Sequence, residues 1–202
     1  KFVSAEQEVE LGKRAMEEEW KNDILMLPPK AQAKWDALLK RLLDQPELKT
    51  YNWNIAIVDS DVVNAFALPG GPMFLNLGMI EAGMSEAEVA GVMGHEIAHV
   101  ALRHGTAQAT KGERFQLGAL AGQVLGAVIG GTAGGIIAQG SQFGLGTYFL
   151  KFGREYERQA DLLGAQILAR AGYDPRQMAN MFKTIESQGG GSRQPEWMSS
   201  HP

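Results

Sequence analysis

Hydrophobic positions recur three and four residues apart between Ser85 and His104, where Val89, Val92, Met93, Ile97 and Val100 mark one side of a helix that Gly105 should stop. Ser85 with Glu88 has the form of a capping box at its start. A second periodic stretch, Tyr156, Ala160, Leu163, Ile167 and Ala171, predicts a helix ending at Gly172, with Asp174-Pro175 as the N-cap and first turn of the next. Ser4 with Gln7 opens a Glu-, Lys-, Ala- and Met-rich stretch to about Trp20, and a further helix is expected from about Lys30 to Leu43 after Pro28-Pro29. Between these, the pattern turns β-branched and aromatic over Asn52 to Val58, Val62 to Leu68 and Met73 to Leu77. Pro69-Gly70-Gly71-Pro72 separates the last two as a turn, so a small antiparallel sheet is expected.

These elements predict a mainly helical α+β chain, and 202 residues suit one domain. Its expected parts are N-terminal helices over 1–50, the sheet over 51–80, the periodic helix over 85–104, a Gly-rich connection over 115–150, two helices over 150–188, and a flexible tail over 189–202 that begins Gly189-Gly190-Gly191-Ser192. A composition of 45% hydrophobic and 21% charged residues excludes disorder of the whole chain. A net charge of −4 with no basic run argues against nucleic acid as a partner. The absence of Cys excludes a disulfide scaffold and a thiol nucleophile, and a metal site would have to use His and carboxylates. The start at Lys1 and the end at Pro202 suggest a processed or trimmed fragment, with any export signal upstream.

His95, Glu96 and His99 form the pattern H-E-x-x-H on the periodic helix. Residues four apart differ by about 40° around a helix and by one turn, so both imidazoles project to one side and can share a metal ion. Glu96 sits at the edge of that face, where its carboxylate can reach a water at the metal without ligating it. With 4 His in 202 residues, roughly 0.006 accidental matches are expected. Two surface histidines on an amphipathic helix are the bland alternative, and a helix otherwise so apolar gives little reason for them. Gly91 and Gly94 suggest that something packs closely on its backbone.

A catalytic zinc typically has three protein ligands and one open position. The chain lacks the Gly and His that would continue the motif after His99, having Leu102 and Gly105 there, so the third ligand should come from another helix. Glu157 is the candidate, and Asp161, one turn on, fits the carboxylate that takes the other ring N–H of His95. Taken alone, Glu155, Glu157 and Asp161 would read better as a solvated face; beside H-E-x-x-H the preference reverses. His104 falls about 140° around the helix from His99 and reads as a surface or cap residue. Arg154 either binds substrate or pairs with Glu157 or Asp161.

His95-Glu96-x-x-His99, Arg154-x-x-Glu157-x-x-Ala160-Asp161 and Asn64-Ala65-Phe66-Ala67-Leu68-Pro69-Gly70-Gly71 together resemble the zinc metallopeptidases of the CAAX prenyl protease and HtpX-like group, over about residues 50 to 202 and in the family's order. The resemblance implies a zincin-like fold of gluzincin type, with one Zn2+ on His95, His99 and Glu157, Glu96 as general base and Asp161 behind a ligand. It also implies that Asn64, Ala65 and Phe66 border the cleft, where a substrate peptide can add as a strand; Phe66 and Leu68 suit core positions regardless. Pro195 to Pro202 resembles a His-Pro segment in soluble members, whose histidine, here His201, can lie near the metal as an occluding ligand.

Residues 115–150 carry no charge and ten Gly, five of them every fourth residue from Gly118 to Gly134. A Gly-lined helical hairpin or lid is preferred over a membrane-surface or partner-protein contact, and over one membrane span. The function expected is a zinc-dependent endopeptidase acting on unfolded or misfolded proteins in a bacterial envelope compartment, the periplasm, as part of protein quality control. A zinc-binding chaperone-like or scaffold protein with a plugged site is the first alternative, and a purely structural zinc domain the second.

Overall fold

Ile55 and Ile57, Ala65 and Ala67, and Met73 and Leu75 face one side of a three-stranded sheet, while Ala56, Val58, Phe66 and Phe74 face the other. This period of two puts apolar groups on both faces, because both are covered. The strands are β1 (Asn54–Val58), β2 (Ala65–Ala67) and β3 (Pro72–Asn76), in the order β1-β3-β2. The computed structural model describes residues 4, 6, 7, 9, 10, 24–49, 51–105, 107, 152–188, 197, 198 and 201. The Gly-rich stretch 115–150, read as a hairpin or lid, lies outside these residues.

The expected hairpin joins β2 to β3 antiparallel, pairing Phe66 with Phe74, whose rings stack at 5.0 Å. Its turn closes with Gly71 N–H donating to Leu68 O, and Gly71 takes φ +121°, with the Asn52 carbonyl 2.6 Å from where a Cβ would stand. The sheet is mixed rather than antiparallel throughout. β1 pairs parallel with β3, register Ala56 to Phe74, because the chain leaves β1 on one edge and enters β2 on the other, leaving the centre for β3.

Helix α1 (Pro29–Leu43) buries Leu39 and Leu42, α2 (Leu77–Ile80) is one turn, α3 (Glu86–Ala101) carries H-E-x-x-H, and α4 (Arg154–Arg170) and α5 (Gln177–Ser187) follow. At the N-terminal capping box, Gln7 N–H donates to Ser4 Oγ and Ser4 N–H to Gln7 Oε1. Ser85 Oγ likewise accepts from Glu88 N–H, but Glu88 turns its Oε2 to the Thr184 hydroxyl, 2.6 Å away, and so ties α3 to α5. Every residue of α3 from Val89 to Val100 is buried, between the sheet and α4 and α5. The Arg41 guanidinium lies 4.1 Å over the Tyr173 ring and donates to Ala171 O, fastening α1 to the end of α4. Among the described residues no helix is long and apolar enough to cross a membrane.

α3 and α4 run in opposite senses and meet backbone to backbone. A Cβ on Gly94 would lie 3.3 Å from Gly164 O, and one on Gly164 would lie 3.2 Å from Gly94 C and O. Gly91 is different: a Cβ there would meet Gln177 O at 3.5 Å and Met181 Cβ at 3.6 Å, ordinary contact distances. Gly91→Ala should therefore raise stability by about 0.5–1 kcal/mol through the usual helix preference for Ala. Gly164→Val should lower it by about 1–3 kcal/mol by overpacking the crossing. Urea denaturation midpoints for the two variants check this, and the opposite order would refute the close contact.

Candidate metal centre

The antiparallel crossing of α3 and α4 sets Glu157 and Asp161, one turn apart on α4, opposite His95 and His99, one turn apart on α3. Glu157 Oε2 stands 3.0 Å from His95 Nε2, and Oε1 stands 3.1 Å from His99 Nε2. The two Nε2 atoms are 3.1 Å apart. His201 completes a buried group in which one donor atom each from His95, His99, Glu157 and His201 lies within 4.8 Å of the others. Four donors about 2.05 Å from one zinc in tetrahedral geometry are about 3.3 Å apart, so the closest of these atoms already have the spacing of a ligand set.

The other ring nitrogens face outward to acceptors. His95 Nδ1 lies 2.9 Å from Asp161 Oδ1, and His201 Nδ1 lies 2.8 Å from Trp197 O. His99 Nδ1 lies 2.9 Å from Nδ1 of His104, whose Nε2 is 3.0 Å from Gln159 Oε1. Phe152 stacks on His99 at 4.2 Å, closing that side with a ring that belongs to the same buried cluster as Phe66 and Phe74.

Charge balance favours a cation. Glu96, Glu157 and both histidines of the motif are buried, and Glu157 Oε1 has no hydrogen-bond partner among the described residues. Burial opposes a charged His95, but its hydrogen bonds to Asp161 and Glu157 and the charges of Glu96 and Glu157 outweigh it and raise the pKa to about 9. Burial also pushes His99 well below its ordinary value, helped by positive charge on His95 and His201. A neutral imidazole, a basic imidazole and an orphaned carboxylate oxygen thus converge on one point, and this donor set fits a metal ion.

Glu96 is fully buried beside the cluster. Its Oε1 accepts from the Trp197 indole N–H at 3.0 Å and stands 3.2 Å from His201 Nε2, while Oε2 has no hydrogen-bond partner among the described residues. Burial would raise the Glu96 pKa, yet the charge and hydrogen bond of His201, with help from His95 and Trp197, bring it below the usual carboxylate value.

The other expected site residues lie farther out. Asn64 is buried and its Oδ1 accepts from Ala65 N–H, Ala65 pairs with Leu75, and Phe66 faces the second core beside Phe74. Asn64 immediately precedes β2, an edge strand that Ala65 and Phe66 open. Arg154 opens α4 exposed, and among the described residues it makes no hydrogen bond or ion pair to Glu157 or Asp161.

Two readings of the sequence change here. His104 is not a surface residue: α3 stops at Ala101, Arg103 takes φ +56°, and the reversal folds His104 back over His99, 2% exposed and stacked on Tyr156 at 4.5 Å. The 100° step assumed a helix that continues, and Arg103 gives no sign of the left-handed turn. Nor is the end of the chain a free tail at Trp197 and His201. Both are buried and stack at 4.3 Å, and Trp197 N–H donates to Val63 O. Gln159 and Phe152 carried no motif that would have singled them out, and Trp197 lies in the His-Pro segment, of which only His201 stood out as a candidate.

Residues 29–202 match the family model described as peptidase family M48. The chain is 30% identical to human mitochondrial metalloendopeptidase OMA1 over 203 aligned residues, 96% of this chain and 39% of that protein. It is 31% identical over 173 residues to the beta-barrel assembly-enhancing protease of Escherichia coli K12, with 83% of this chain and 35% of that protein covered. The mitochondrial metalloendopeptidase OMA1 of Arabidopsis thaliana is 31% identical over 156 residues, 77% of this chain and 30% of that protein. The chain thus spans less than half the length of each of these curated relatives. A match running from α1 through H-E-x-x-H and α4 to His201 places this chain in peptidase family M48.

Proposed function

We propose that the chain is a zinc-dependent endopeptidase unit in which His95, His99 and Glu157 hold the ion and Glu96 is the general base. The observation that carries this is the buried convergence of the His95, His99 and Glu157 donor atoms beside a separate buried carboxylate, in a chain of a peptidase family. Zinc is the metal chosen because imidazole nitrogen and carboxylate oxygen in a tight set suit it. When bound, the ion supplies Lewis acidity that makes water acidic near neutrality and polarises the scissile carbonyl. Asp161 holds His95 through Nδ1. Glu96 takes the water's proton and delivers it to the leaving amine. The edge strand β2, with Asn64, Ala65 and Phe66, receives the substrate backbone as an added strand, and Arg154 at the α4 start contacts substrate farther out.

The substrates we infer are unfolded or misfolded proteins, with no role for nucleic acid. A place in a bacterial envelope, in the periplasm, and in protein quality control is supported by likeness to the beta-barrel assembly-enhancing protease. The motifs shared with the CAAX prenyl protease and HtpX-like group agree with this chemistry. Glu96→Gln should lower kcat for an unfolded protein substrate by about 10²–10⁴-fold while zinc stays near one per chain; cleavage at the parent rate with metal bound would overturn the assignment.

A second reading, a chaperone-like or scaffold protein whose plugged site cleaves weakly, is favoured by Trp197 and His201. They occupy Glu96 Oε1, and His201 is a fourth candidate ligand. If they plug the site, His201→Ala should raise the cleavage rate several-fold at unchanged zinc content, measured by peptide release from an unfolded protein. An unchanged or lower rate would dismiss the plug.

A further inference from the structure

The three imidazoles of the cluster share one arrangement, in which Nε2 faces the centre and Nδ1 faces an acceptor. For His95 and His201 the acceptors are a carboxylate and a backbone carbonyl, groups that cannot donate. For His99 the partner is another imidazole, His104, which can donate or accept at Nδ1 according to its tautomer. Something must settle that choice.

The residues behind His104 settle it. Glu155 Oε1 accepts from Gln159 Nε2 at 3.0 Å, and this fixes the amide with its oxygen turned inward. Gln159 Oε1, an acceptor, stands 3.0 Å from His104 Nε2, which must therefore carry the proton. In the neutral ring His104 Nδ1 then carries a lone pair and accepts from His99 Nδ1–H. His99 Nε2 in turn has no proton and presents its lone pair toward Glu157 Oε1, 3.1 Å away. The stack on Tyr156, with planes 14° apart, holds the His104 ring in the required plane.

We propose that His104, backed by Gln159 and Glu155, is a positioning residue that locks His99 as the Nδ1–H tautomer and so keeps its Nε2 lone pair available to the metal. This rests on His99 being a ligand. Without an acceptor at Nδ1, His99 can take the Nε2–H form and donate to Glu157 Oε1, an internal hydrogen bond that blocks two ligand atoms at once. His104 is buried, whereas Glu155 and its bond to Gln159 are in solvent. The effect should therefore concentrate at His104 and fade outward.

The test measures Zn2+ affinity of the full chain by competition with a chromogenic chelator. His104→Phe keeps a ring on Tyr156 and removes the acceptor, and should weaken zinc about 10–100-fold. His104→Gln, whose amide oxygen can accept from His99, should recover most of the loss, and Gln159→Glu, still an acceptor, should bind as the parent does. Long-range proton–nitrogen NMR of the histidine rings in the metal-free parent should show His99 protonated at Nδ1 and His104 at Nε2. Parent affinity in His104→Phe overturns the proposal, as does an Nδ1-protonated His104; if His104→Phe does not fold, the parent spectrum decides. A parent that binds no zinc would instead defeat the underlying metal-site reading.

Discussion

The backbone contact between Gly94 and Gly164 is the constraint on which the site depends. Two helices that touch at glycine have no side-chain layer between them, so their neighbouring side chains are brought within hydrogen-bond reach. His95 follows Gly94 directly, and Asp161 and Glu157 precede Gly164 by about one and two turns. A side chain at either glycine would separate the helices by tenths of an ångström, on the scale that separates the donor atoms. The sheet and α5 press on α3 from other sides, and the absence of any exposed residue between Val89 and Val100 shows how completely that helix is enclosed. Polar groups placed there must satisfy one another.

The imidazoles do so by a rule of directions, while Glu157 Oε1 and Glu96 Oε2 have no hydrogen-bond partner among the described residues. Each of the three cluster imidazoles, His95, His99 and His201, turns one nitrogen to an outer partner and the other inward, toward the carboxylate oxygens of Glu157 or Glu96. Such a centre is electron-rich, and the hydrogen bonds of His95 to two carboxylates show how strongly it draws positive charge. A bound cation and a proton on His95 would answer the same demand, and a divalent ion held there would displace the proton.

Much of this was legible in the sequence because it is local. H-E-x-x-H at helical spacing, the carboxylate pair one turn apart, the capping residue Ser85 and the turn at Gly70-Gly71 are all stated within a few positions of the chain. The mixed sheet was not, since β1 could pair with either partner and only the crossing of the chain decides which. His104 was missed for a related reason: its place depends on one backbone angle at Arg103, a residue with no preference for that conformation. The burial of Trp197 was hidden because a Gly-Ser run reads as mobile chain whatever follows it. The sequence suggests close packing at both Gly91 and Gly94; a Cβ on Gly94 would crowd Gly164 O at 3.3 Å, whereas one on Gly91 would meet Gln177 O at an ordinary 3.5 Å.

Trp197 and His201 link the outer rule to the chemistry. Burying a carboxylate costs several kcal/mol unless it is well partnered, and Glu96 lies entirely out of solvent with one oxygen partnered by the indole N–H and the His201 ring. The same ring stands among the candidate ligands. One segment therefore stabilises the carboxylate and fills space at the metal cluster, so the two cannot be exposed independently. If Glu96 is the base, a substrate entering the cluster must displace that segment, and Glu96 Oε1 then loses the His201 ring and the indole N–H that together favour its charge. A carboxylate released in this way binds protons more readily, which suits a group that must accept one.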